Sequence, residues 1–170
     1  MNITDIHEII EFQLYRYRVG LFATTIVNFF IPTFWALASN QGGLSFTAWE
    51  WAVGFSVTLF GQVMKTHDPA FSMLFVLALS VVAAVASLIS TRVTTLLAAA
   101  SGGLGFLLLL HNANLVRADV KESIPGVVEV SFGSGIWWIG VPLLMGALLS
   151  AYPFLTGSGE VFFEGRTKAE

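Results

Sequence analysis

Uncharged apolar runs alternate with short polar breaks along this chain, and most of the runs are too long for strands. Ala70 to Ser90 and Val93 to Leu110 are the clearest. Each approaches the roughly 20 apolar residues a helix needs to cross a bilayer. Only Thr91 and Arg92 separate them, so the pattern predicts transmembrane helices over 70–90 and 93–111 joined as a tight antiparallel hairpin. A last run, 135–155, opens on Trp137 and Trp138 and closes near Tyr152, aromatic types that favour membrane interfaces. Its Pro142 removes a backbone donor and is expected to kink the helix. The first run, 19–39, holds Asn28 four residues before Pro32. Proline there frees the Asn28 carbonyl and is also expected to kink the helix. A polar side chain deep in lipid needs a partner on another helix, so Asn28 is expected at a helix-packing contact, or else lining a polar path.

The remaining segments carry other periodicities. In residues 1–18, Ile6, Ile9, Ile10, Leu14 and Tyr17 fall near one helical face, with Glu8, Glu11 and Arg18 away from it. Asp5 and Glu8 fit a capping box. This predicts an amphipathic helix lying in the headgroup layer, its Tyr15-Arg16-Tyr17-Arg18 run snorkelling at the interface. The polar start and long following run do not fit a cleavable signal, so the first span is expected to persist as an anchor. Residues 44–64 are ambiguous. Trp49, Trp51, Val53, Phe55, Val57 and Leu59 alternate with smaller or polar residues, which predicts an extracytoplasmic strand. The same stretch can be written as an extra span with Trp49, Val53, Val57 and Phe60 on one stripe, although Glu50 and Gln62 disfavour insertion. A second alternation at Val128, Val130 and Phe132 offers a pairing partner. Residues 157–170 form a polar tail. The fold class expected is thus an all-α integral membrane protein, a four-helix or five-helix transmembrane bundle with a small extracytoplasmic β element.

Composition agrees with that pattern. Apolar residues make up 55% of the chain and charged ones 11%, against roughly 25% charged in soluble domains. The few basic residues are scattered, which excludes a nucleic-acid partner. There is no cysteine, so disulfides, thiolate catalysis and Cys-ligated metals are excluded. With four spans, Arg16, Arg18, Arg92, Arg166 and Lys168 face the cytoplasm and Lys65, Arg117 and Lys121 face out, which places both termini in the cytoplasm. Five spans give the same imbalance, so charge does not decide the number.

The run Val128-Glu129-Val130-Ser131-Phe132-Gly133-Ser134-Gly135-Ile136-Trp137 looks like the lead into the last span of prokaryotic four-span proteins. With it, the layout resembles claudin-like four-span membrane proteins. That resemblance implies a long first extracytoplasmic loop with strand character, a shorter second loop and both termini inside. Trp49 and Trp51 stand where such a loop carries its tryptophan motif, while the loop cysteines are absent.

Candidate chemistry is sparse. His67-Asp68 precedes one hairpin helix and His111 ends the other, so both histidines fall beyond the open end of the hairpin. Their axial offset is about 7 Å, at 1.5 Å per residue. His67, Asp68 and His111 are therefore the candidate metal ligands, of a kind that suits Zn or Cu; the alternative is that they cap helix ends at a wet interface. No Ser-His-Asp set and no carboxylate pair lies inside a span, and no ionisable residue is expected within the bilayer. Small residues at Gly102, Gly103 and Gly105 allow close helix approach, and the Gly-rich stretch has no lysine after it that would make a phosphate loop. The expected function is non-enzymatic: assembly in the cell membrane, as a homo-oligomer or with other membrane subunits, surrounded by membrane lipid. The alternatives are an oligomeric channel and a metal-binding or redox subunit using His67 and His111.

Overall fold

A computed structural model describes residues 3–32, 34–38, 42–59, 62–67, 69–89, 91–123 and 135–155. The elements run α1 (Ile3–Asn28), β1 (Phe34–Ala38), β2 (Gly42–Phe46), α2 (Ala48–Val53), β3 (Phe55–Leu59), β4 (Gln62–His67), α3 (Phe71–Ser87), α4 (Arg92–Ser123) and α5 (Gly135–Leu155). Two helical stretches, Arg92–Leu115 and Gly135–Leu155, are long and apolar enough to cross a membrane, and the apolar α3 is shorter, at 17 residues.

The first helix differs from expectation at both ends. The interfacial helix and the first span merge into one helix, α1, which stops at Asn28 rather than continuing to residue 39. Pro32 ends the helix instead of kinking it. It cannot donate to the Asn28 carbonyl, so the last turns tighten: Phe30 N donates to Val27 O at 3.1 Å and Ile31 N to Asn28 O at 3.4 Å. The buried stripe of α1 is Arg18, Phe22, Thr25 and Asn28, continued by Phe29 just past its end. Arg18, expected to snorkel, is therefore only 3% exposed, while Tyr17 is 62% exposed. The phase is set by Phe22 and Phe29, whose burial outweighs the polarity of a single arginine.

The described part of residues 44–64 forms neither one strand nor one helix but strands and a short helix, α2. Thr47 and Glu50 close a reciprocal capping box: Glu50 N donates to Thr47 Oγ1 at 3.0 Å and Thr47 N to Glu50 Oε2 at 2.6 Å. Those bonds nucleate α2 where alternation predicts strand. Gly54, at φ 89°, then turns the chain out of the helix. The strands pair with their sequence neighbours, β1 with β2 and β3 with β4, both antiparallel. The expected partner at 128–132 lies outside the described residues, as do Asp68 and the tail 157–170.

The third predicted span also runs on. α4 passes His111 and continues to Ser123, because the sequence offers no glycine or proline until Pro125. At its start, Thr91 Oγ1 accepts from Thr94 N at 3.2 Å and Thr91 N donates to Thr94 Oγ1 at 3.0 Å, a cap that fixes the turn after α3.

Packing closes a ring in which α1 meets α3, α3 meets α4, α4 meets α5 and α5 meets α1. Neighbours run antiparallel, as shown by the pairs Ser72–Asn112, Gly105–Leu143 and Asn28–Trp138. The bundle has a closed end at the α3–α4 turn and an open end where α1 stops and α3 begins. α2 sits at the open end: Trp49 N donates to Phe29 O at 3.0 Å and Ala70 N to Trp51 O at 3.3 Å. Trp51 is buried there, edge-on to Phe46 with ring centroids 6.4 Å apart.

Candidate functional site

The interior of the bundle is unusually polar for so apolar a chain. Arg18, Thr25, Asn28, Ser80, Ser87, Thr95, Ser101, Asn112 and Ser150 are all buried. Several hydroxyls bond back to their own helix: Thr25 Oγ1 to Leu21 O at 3.2 Å, Ser80 Oγ to Val76 O at 2.7 Å and Ser150 Oγ to Gly146 O at 2.8 Å. This local bond satisfies a hydroxyl in apolar surroundings without a partner helix.

Near the open end each of the four long helices contributes one polar group. Pro142 has no N–H, so the carbonyl four residues earlier, that of Trp138, lacks its helical donor. Asn28 Nδ2 supplies it from α1, at 2.7 Å. Ser72 Oγ of α3 donates to Asn112 Oδ1 of α4. Asn112 Nδ2 is buried with no partner among the described residues. Such a group costs about 1–3 kcal/mol unless another molecule or subunit meets it.

A second polar level lies toward the closed end. Continuing the antiparallel register past Phe22–Gly146 brings Arg18 level with Ser150. Continuing past Ser72–Asn112 brings Ser87 and Thr95 within about a turn of that level. Ser87 Oγ and Thr95 Oγ1 are buried and have no partner among the described residues.

Between the two levels the bundle is plugged. Phe22 lies between Gly102 of α4 and Gly146 of α5: a Cβ at Gly102 would stand 2.8 Å from the ring, and one at Gly146 2.7 Å. Gly105 makes ordinary contact, its Cβ position 3.6 Å from Leu143 and from Leu79. Gly103, expected at a close crossing, has nothing within 4 Å of its Cβ position. The correction follows from helical phase: Ala98, Gly102, Gly105 and Leu109 point inward, which turns Gly103 outward. Gly146, Gly140 and Phe22 are the packing residues that sequence reasoning missed; the Gly146–Ser150 small-xxx-small pair on α5 was the available signal.

The candidate metal ligands are not assembled on the described residues. His67 ends β4 and His111 is exposed on α4, both toward the open end, while Asp68 lies outside the described residues. Among the described residues no three His, Cys, Asp or Glu side chains stand close enough to hold a metal. Glu50 is engaged in its cap. The arrangement binds helices to one another and offers hydrogen-bonding groups at two levels. In comparison with known proteins, no family pattern, no curated protein and no solved structure matches this chain.

Proposed function

We propose that this chain is an integral membrane protein whose four long helices cross the cell membrane, and that it works without catalysis, by assembling with itself or as a small subunit of a larger membrane complex. One observation carries the reading: the molecule is inverted relative to a water-soluble bundle. Phe75, Val82, Leu104, Leu107, Met145 and Leu148 are exposed, while serine, threonine and asparagine are buried. In water, so continuous an apolar exterior would aggregate; in lipid it is the favoured exterior, and small or polar residues serve helix contacts.

The loop from 29 to 70 is read as extracytoplasmic and the termini as cytoplasmic, in keeping with the claudin-like layout. Phe22 fills the centre of the bundle, which weighs against a pore through a single chain. Assembly is supported by the buried Asn112 Nδ2 and by the open space outside Gly103, which no described residue fills.

Membrane fractionation followed by native mass spectrometry in mild detergent tests the proposal. A carbonate-resistant membrane protein is expected, recovered as an oligomer or with a stoichiometric second subunit. A bare monomer would overturn the assembly reading, and release by carbonate would overturn the membrane reading. Gly103→Leu sharpens the test: it should leave the monomer folded, so a lost oligomer would place the contact on the outer face of α4.

A further inference from the structure

The apolar exterior has a measurable height, and both of its edges are marked. At the open end Phe71, Trp49, Trp137 and Trp138 are exposed, with Phe30 and Trp49 in ring contact at 5.6 Å. At the closed end stand exposed Tyr17 and Tyr152, with the exposed cations Arg16 and Arg92. Tryptophan and tyrosine settle at the headgroup level, so hydrocarbon occupies the space between them.

The rise of the helices between these markers gives the height. From Trp138 to Tyr152 along α5 is about 21 Å, and from Tyr17 to Asn28 along α1 about 17 Å, at 1.5 Å per residue. α3, from Phe71 to Ser87, is about 25 Å long, and α4 rises about 28 Å between Arg92 and His111. The whole apolar stretches of α4 and α5, 24 and 21 residues, reach the ~30 Å hydrocarbon core of an average bilayer, but α3 and the distances between the interface markers on α1 and α5 fall short of it. Helix tilt shortens these projections further. Nor can the short α3 be extended at the closed end, because the Thr91–Thr94 cap ties the turn.

We propose that this exterior is fitted to a thin bilayer, one whose acyl chains are shorter than the common oleoyl length. The inference rests on the membrane reading above and adds the kind of lipid the surface selects. In a thicker bilayer the Arg92 guanidinium is drawn toward hydrocarbon, or the lipid thins around the bundle. Either response costs free energy in proportion to the mismatch.

The test uses the full chain, purified in detergent and reconstituted into phosphatidylcholine vesicles with myristoleoyl, oleoyl or erucoyl chains. Flotation reads insertion, quenching by brominated lipid reads tryptophan depth, and circular dichroism reads the thermal midpoint. Insertion and midpoint are expected to be highest with myristoleoyl chains, with insertion falling several-fold by erucoyl. An optimum at oleoyl or longer, or no dependence on chain length, would overturn the proposal and leave the membrane reading standing. Failure to float with every lipid would overturn both.

Discussion

Asn28 and Pro142 belong to different helices yet form one hydrogen-bonding unit, because the proline empties the Trp138 carbonyl that the asparagine fills. The sequence marked both residues, but Asn28 was tied to Pro32 on its own helix, since the α1–α5 register that joins it to Trp138 arises only on packing. Interhelical hydrogen bonds in membranes average roughly 0.6 kcal/mol and reach about 1.7. Asn28→Ala should therefore cost about 1 kcal/mol in a detergent unfolding titration. In a Pro142→Ala background the new amide can take the Trp138 carbonyl, so the same change should cost little; equal losses in both backgrounds would refute the unit. The glycines give a second contrast. Phe22 cannot retreat from a methyl at Gly102 without meeting Gly146, so Gly102→Ala should destabilise by about 1–3 kcal/mol. Gly103→Ala meets open space and should be neutral or stabilising by up to about 1 kcal/mol, since alanine is the better helix former. A thermal melt of the two variants side by side decides it. Small residues in the hairpin were legible; which one faces inward depends on a phase that neighbouring leucines do not reveal.

At the scale of elements, long uncharged runs located α3, α4 and α5 because their length admits no other regular structure. Short elements were less legible. α2 has six residues, under two turns, too few for a helical period to outweigh the alternation of Trp49, Trp51 and Val53. The deciding signal was local: Thr47-Ala48-Trp49-Glu50 spells a capping box. Thr47→Ala removes the acceptor for the Glu50 amide and should cost roughly 1 kcal/mol of local stability. Hydrogen exchange at the α2 amides should quicken accordingly. Glu50→Gln keeps a side chain able to close the box and should change exchange much less; similar acceleration in both variants would show that charge, rather than the cap, holds α2. The ends of α1 and α4 were misjudged for opposite reasons. Pro32 stops α1 outright because the chain leaves for β1, whereas the Asn112–Asn114 stretch, with no glycine or proline, lets α4 continue.

For the whole molecule, charge and aromatic positions define a direction as well as a belt. Arg16 and Arg92 mark the closed end, where α5 also finishes at Leu155, so the chain past 155 leaves from that end. Among the described residues of the 29–70 segment, which joins α1 to α3, no helix is longer than α2, and this supports the proposed count of four spans over five. That count was illegible in the sequence, because the basic residues divide equally well for four spans or five. On the proposed membrane reading, the positive-inside rule would put the closed end in the cytoplasm. Because the chain has no cysteine, single cysteines report topology without background. An impermeant maleimide applied to intact cells should label Asn114→Cys at the open end, and should label Ile89→Cys at the closed end only after permeabilisation. Both positions are exposed, so access rather than burial controls the outcome. Labelling of Ile89→Cys alone would invert the orientation, and equal labelling of both in intact cells would mean that α3 and α4 do not separate two compartments. Replacing Arg16 and Arg92 by glutamate removes the two described exposed cations of the closed end and should yield a mixed population labelled at both sites, since orientation follows the imbalance of basic residues flanking the spans.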